Sequence, residues 1–164
     1  MNRLLLSLTL VSMLSLPATA LRGVDGEPSP AAQKEATEGN WTGWRGPTRD
    51  GLSAESGLQS SWADGGPQLA WKVSGLGSGF SSVAVADGRI YTMGKKGGST
   101  KMIALSTIQG SVIWEADMGA GANPNCTPTV DGDRIYGLTH SGELVCVSAK
   151  DGKILWQRNF PTDF

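Results

Sequence analysis

Tryptophan recurs at Trp71, Trp114 and Trp156, at intervals of 43 and 42 residues, and each closes a short apolar run: Leu69-Ala70-Trp71, Val112-Ile113-Trp114 and Ile154-Leu155-Trp156. A fixed period of that size is the mark of a chain built by stacking copies of one supersecondary unit. The copies match at more than the tryptophan. At an offset of 45, Arg89-Ile90-Tyr91 falls on Arg134-Ile135-Tyr136, Ser82 on Thr127, Val85 on Val130, and Asp87-Gly88 on Gly132-Asp133. Further along the offset becomes 42, so that Ile103 meets Val145, Leu105 meets Val147, Ser106 meets Ser148 and Gly110 meets Gly152. The length change is therefore confined to one hairpin. Loops absorb insertions, whereas a one-residue slip within a strand turns its buried face outward.

Within each unit, apolar or alternating runs divided by turn residues read as four strands. The first unit has Ser82 to Ala86, Arg89 to Met93, Lys101 to Leu105 and Ser111 to Glu115. The second has Thr127 to Asp131, Arg134 to Leu138, Glu143 to Val147 and Lys153 to Gln157. Asp87-Gly88 and Gly132-Asp133 suit two-residue hairpin turns, which need positive φ. Ser141-Gly142 closes the second hairpin, and Lys96-Gly97-Gly98-Ser99 its longer equivalent, which places Lys95-Lys96 at a solvated loop tip. The run Leu69-Ala70-Trp71 matches the fourth strand of a unit and reads as a leading strand near 68–72. With 23 glycines against 8 prolines, the composition also favours an all-β chain with many turns.

Four-stranded antiparallel sheets repeated every ~40 residues are the W-shaped blades of a β-propeller. The tryptophan of each outermost strand then covers the seam to the neighbouring blade, burying about 150–250 Å². Gly110 and Gly152, placed just before the fourth strand, let backbone and indole approach closely. Trp71, Trp114, Trp156, Gly110 and Gly152 are thus the expected blade-docking residues.

The segments Leu105 to Trp114 and Val147 to Trp156 resemble the repeat of the quinoprotein-like β-propellers, usually written A-x-D-x-x-T-G-K-x-x-W. The Gly-x-x-x-Trp ending is the most specific part, and the likeness covers roughly Trp41 to Phe164. Ser106 and Ser148 stand where the family has Asp, Gln109 and Asp151 where it has Thr, and its Lys is kept only at Lys153. Trp44-Arg45-Gly46-Pro47 followed by Arg49-Asp50-Gly51 looks like the start of secreted bacterial propellers of this kind. Such proteins typically carry seven or eight blades. The resemblance therefore implies an incomplete propeller of about two blades plus one leading strand, and the chain is expected to be the N-terminal piece of a longer protein. The alternative is several copies associating into a ring.

Ahead of the repeats, Arg3, the apolar run Leu4 to Leu16 and Ala18-Thr19-Ala20 have the layout of a secretory signal with an A-x-A cleavage site. The run is shorter than the about 20 apolar residues that span a bilayer. Residues 1–20 are expected to be removed, 21–40 to be a disordered tether, and 41–164 to form the partial propeller, with blades at 81–118 and 126–160. Export permits a disulfide. In the strand reading, however, Cys126 and Cys146 lie on the first and third strands of one blade, roughly 10 Å apart, which a disulfide does not bridge. Two buried thiols are expected, and the pair is no metal site by itself.

The net charge of −1 gives no electrostatic reason to expect nucleic acid or an anionic membrane surface as a partner. Gly75-Leu76-Gly77-Ser78-Gly79 has the look of a phosphate loop, but strand-like residues follow it and not a helix, so it reads as a flexible connection. Its equivalent is Gly119 to Asn125. In propellers such crossover loops gather on one face near the axis, where ligands bind. His140, the only histidine, sits in a hairpin tip with no partner for metal or nucleophilic chemistry. Asn40-Trp41-Thr42 matches a glycosylation sequon, a pattern common by chance.

The resemblance leaves two working functions and a remnant without activity. The first is an exported BamB-like scaffolding propeller that holds polypeptides of the cell envelope, uses no cofactor and has no membrane span after signal cleavage. The second is the N-terminal part of an alcohol or polyvinyl-alcohol dehydrogenase that uses pyrroloquinoline quinone and calcium. The acidic and amide calcium ligands, aromatic floor and vicinal cysteines implied by the second are not recognisable here. No catalytic or metal residue is assigned, and the first reading is preferred.

Overall fold

The computed structural model describes residues 39–163. The expected signal segment and nearly all of the tether lie outside these residues. Among the described residues no helix is long and apolar enough to cross a membrane.

Eight strands form two four-stranded antiparallel sheets. The first blade comprises β1 (Ala84–Ala86), β2 (Arg89–Lys96), β3 (Ser99–Ser106) and β4 (Val112–Ala120), and the second β5 (Thr129–Asp131), β6 (Arg134–Leu138), β7 (Glu143–Ser148) and β8 (Ile154–Asn159). A single helical turn, α1 (Phe160–Asp163), follows. Strand order within each sheet is the chain order, and the two sheets do not close into a ring. This is the architecture of incomplete propeller blades read from the repeats.

Alternation along the strands sorts side chains to the two faces of each sheet. In the first blade Ala84 pairs with Tyr91, Tyr91 with Ala104 and Ala104 with Trp114, and the row Met93, Met102, Ala116 lies beside it. These residues are buried together with Val130, Ile135, Val145 and Val147 of the second blade, so the core is the seam between the sheets. Gly137 makes the closest fit in it. A Cβ there would lie 2.5 Å from Met102 Cε, 2.8 Å from Met118 Cε and 3.0 Å from Met93 Sδ. Three flexible thioethers fill the space that the missing side chain leaves.

Each blade carries a β-bulge directly before its tryptophan. Leu105 pairs with Val112 but Ala104 with Trp114, leaving Ile113 extra, and likewise Val147 pairs with Ile154 but Cys146 with Trp156, leaving Leu155 extra. One extra residue shifts the alternation, so the indole turns toward the seam.

Several local expectations are corrected. No strand forms at 68–72; Leu69 is 78% exposed, because no described strand lies beside the segment to supply ladder partners. The first strands are shorter than expected. Ahead of β1, Ser81 Oγ accepts from the Met93 amide and Thr92 donates to the Ser82 carbonyl, so side chains replace the ladder. Ahead of β5, the buried Pro128 has no N–H to donate. Lys95 and Lys96 are not in a loop tip. They end β2, because Gly97 and Gly98, at φ of 58° and 90°, make a turn tight enough for the ladder to run to Lys96 and Ser99. Lys96 then forms an ion pair with Glu115. Cys126 precedes β5 and is not on it; both cysteines are free, with Cys146 buried.

One tie escaped the sequence reading. Trp41 exchanges two backbone hydrogen bonds of 2.8 Å with Val85, and the Thr42 carbonyl accepts from Val130 at 2.7 Å. The lead-in segment thereby crosses the innermost strands of both blades. The Trp41 ring rests on Gly46, where a Cβ would lie 2.7 Å from the ring.

Candidate functional site

The repeated tryptophans and glycines meet across seams and not within a blade. Trp114, on β4, donates its indole N–H to the Ala149 carbonyl of the second blade at 3.1 Å. Gly152, in the same β7–β8 turn at φ +73°, lies under the ring: a Cβ would come within 2.6 Å of it. Trp71 repeats the arrangement one unit earlier. Its indole donates to the Thr107 carbonyl at 2.9 Å, and a Cβ on Gly110 would lie 2.5 Å from the ring. Trp71 is thus held by the first blade although its own segment forms no strand. Both turns are anchored to their own blade, by Thr107 donating to Gly88 at 3.0 Å and Ala149 to Asp133 at 2.8 Å.

Trp156 holds the third position. Its ring tilts against Tyr136 with centroids 5.9 Å apart, as Trp114 does against Tyr91. Trp114 is 9% exposed and Trp156 37%. Burial pushes the Tyr91 phenol pKa above its ordinary value, with the Arg89 charge opposing it. Cys146, on the same face as Trp156, has its thiol pKa raised by burial, again opposed by an arginine, Arg134.

The crossover loops come together at one end of the blades. Ser78 donates to Asn123 Oδ1 at 2.7 Å, Phe80 N–H to the Pro124 carbonyl at 2.7 Å, and Gly79 lies against Pro124. The first loop is pinned to β2, since Ser78 and Lys95 exchange backbone bonds of 3.1 and 2.8 Å. Phe80 stands out from this junction 81% exposed. On the same end, Glu143 accepts from Gln157 at 2.7 Å and from Asn159, and Asp117 accepts from Lys101 at 2.6 Å. The Lys101 contact holds the Asp117 carboxyl below its ordinary pKa of 3.8. His140 is exposed in the β6–β7 hairpin. Among the described residues, no group of three or more His, Cys, Asp or Glu could hold a metal ion.

A cavity of about 290 Å³ lies where the lead-in meets β5, lined by residues including Arg49, Asp131 and Tyr136. A second hollow, of about 610 Å³, is lined by Asn40, Trp41, Pro47 and Leu52 to Glu55. Neither joins the crossover loops. The arrangement as a whole offers docking faces, an exposed aromatic and strand edges.

Sequence reasoning missed Arg89. It reaches from β2 across the seam and donates through Nη1 to the Ala149 carbonyl and, at 3.0 Å, to the Lys150 carbonyl. The recurrence of Arg-Ile-Tyr at an offset of 45 was the signal that could have found it.

The model of the family described as outer membrane protein assembly factor BamB matches residues 54–163. Quinohemoprotein alcohol dehydrogenase ADHIIG from Pseudomonas putida HK5 is similar at 24% identity and a TM-score of 0.57, over 85% of this chain and 21% of that one. Quinohemoprotein alcohol dehydrogenase from Comamonas testosteroni is similar at 17% identity and a TM-score of 0.59, over 76% and 20%. BamB from Moraxella catarrhalis aligns at 20% identity and a TM-score of 0.46, over 57% and 28%. The chain thus spans between 20% and 28% of the length of these solved proteins, and the two dehydrogenases share its fold. No curated protein sequence matches it.

Proposed function

Because the chain belongs to the family of the outer membrane protein assembly factor BamB, we propose that it is an exported β-propeller scaffold that holds polypeptides of the cell envelope. The family match over residues 54–163 carries this reading. Trp71, Trp114 and Trp156 serve as docking plates, the first two laid on the glycine turns of the blade that follows, with Gly110 and Gly152 as the seats, and Trp156 left for a further partner. A seat must be glycine because a side chain would occupy the volume of the indole and because the turn needs positive φ. Partners bind at the faces and edges of the blades. The exposed Ile154 and Leu155 of β8 offer apolar surface on an unpaired strand edge, the element by which a sheet recruits an extended peptide, and Phe80 adds an exposed aromatic at the crossover junction. Catalysis is not the work of this chain alone.

The test is made on the protein from its native source. A photoreactive residue at Phe80 or Leu155 is expected to crosslink envelope polypeptides, and fractionation is expected to place the protein outside the cytoplasm. Reduction of a dye dependent on pyrroloquinoline quinone and calcium by that same protein would overturn the scaffold reading in favour of a dehydrogenase.

A further inference from the structure

The seam between the two blades is held by more than the tryptophan. The Ala149 carbonyl accepts both the Trp114 indole N–H and the Arg89 guanidinium, using both of its lone pairs, and Arg89 goes on to the Lys150 carbonyl. Arg89 and Tyr91 lie two residues apart on β2 and so project from one face, and Tyr91 in turn meets Trp114. Arginine, tyrosine and tryptophan therefore form one unit on the face of the first blade, and it addresses two successive carbonyls of the next blade's turn.

The second blade carries the same unit on its outer face. Arg134 and Tyr136 recur on β6, and Tyr136 meets Trp156 with the same 5.9 Å centroid spacing. Arg134 is more than half exposed, at 3.8 Å from Asp133. We propose that Arg134 is a docking-specificity residue which, with Tyr136 and Trp156, seats the β3–β4-type turn of a further blade of this repeat by donating to two successive turn carbonyls, as Arg89 does at the existing seam. The proposal rests on the docking role of the tryptophans given above. The occupant is a blade continuing from β8. A second copy of this chain does not fit, because its two turns of this kind already hold its own Trp71 and Trp114. The demands on the occupant are specific. It needs a glycine under Trp156, and carbonyls at that glycine's −3 and −2 positions, as Ala149 and Lys150 stand to Gly152.

The chain through Phe160, extended by a copy of residues 119–160 that keeps the 42-residue spacing of the blades, tests this. 5-Fluorotryptophan labelling, with the Trp156 resonance assigned through Trp156→Phe, reports burial through the H₂O/D₂O isotope shift, and urea unfolding reports stability. In the extended chain Trp156 is expected to become as protected as Trp114, and the urea midpoint to rise. Arg134→Met is expected to remove at least half of that rise while leaving the midpoint of the unextended chain unchanged. Equal effects of Arg134→Met in both chains, or protection of Trp156 that survives it with no loss of midpoint, would overturn the arginine's role and leave the tryptophan docking standing. No protection of Trp156 in the extended chain would overturn both. Concentration-dependent dimerisation of the unextended chain with burial of Trp156 would overturn the choice of occupant.

Discussion

Substitution of Gly152 by alanine isolates the cost of crowding an indole at a blade seam. Gly152 has φ +73°, and a Cβ there meets Trp114 ring atoms at 2.6, 2.7 and 3.2 Å. Carbon atoms in favourable contact lie about 3.5–4.0 Å apart, so the ring must retreat by roughly 1 Å. It is held from the other side by Tyr91 and by its bond of 3.1 Å to Ala149, and retreat breaks that bond. A left-handed alanine costs about 1–2 kcal/mol, the lost hydrogen bond about 0.5–1.5 kcal/mol, and overpacking about 1–3 kcal/mol. Allowing for overlap between these effects, the expected loss is about 3–5 kcal/mol, a large share of the ~5–15 kcal/mol by which domains are stable. Gly132→Ala is the control. It has φ +55° with nothing within 4 Å of its added Cβ, and its counterpart Asp87 holds φ 50° with a side chain in place. Only the backbone cost of about 1–2 kcal/mol remains there. Both variants are compared by equilibrium urea unfolding, with near-ultraviolet circular dichroism following the tryptophan environment. A difference between them below about 1 kcal/mol, or an unchanged aromatic signal in Gly152→Ala, would refute the steric reasoning.

Trp114→Ala, which empties a buried seam, is expected to cost about 3–5 kcal/mol, and Trp156→Ala, at a more exposed ring, less than half of that, measured by the same unfolding curves. At pH 8, Cys126 is expected to react with a thiol reagent in the folded protein and Cys146 only after urea is added, since Cys146 is buried with its thiol pKa raised by that burial. Asp117 has its folded pKa depressed below 3.8 by the hydrogen bond from Lys101. Its contribution is therefore full above pH 3.8 and lost as the pH falls through the folded value. Because the carboxylate is largely exposed, Asp117→Asn is expected to flatten that acid slope by less than about 1 kcal/mol, read from unfolding curves between pH 5 and pH 2.

Much of the fold was legible because it is written locally. Apolar or alternating runs mark Arg89 to Met93 and Glu143 to Val147 as strands wherever they lie in space, and Asp87-Gly88 and Gly132-Asp133 mark turns by their tolerance of positive φ. The spacing of Trp71, Trp114 and Trp156 then determined that these strands belong to repeated four-stranded units. Strand limits were less legible. Ser81 and Ser82 spend their hydrogen bonds through side chains, and the length of β2 depends on how tightly Gly97-Gly98 turns. The segment at 68–72 carries the apolar pattern of a strand, yet a strand exists only where another lies beside it, and pattern alone does not supply one.

The class of fold, the repeat and the residue types at the seams are written in the chain alone. Which of them meet is settled by how the blades pack in three dimensions. Trp114 rests on Gly152 and not on the glycine of its own unit, Ile113 and Leu155 are squeezed into bulges that aim the indoles, Arg89 finds the carbonyls of Ala149 and Lys150, and Trp41 and Thr42 bind β1 to β5. Apart from the bulges, which are local to one hairpin, these contacts join residues 38 to 88 positions apart. Local propensity is blind to them because they arise from packing one blade against the next, where burial of apolar surface and the pairing of buried carbonyls are settled together.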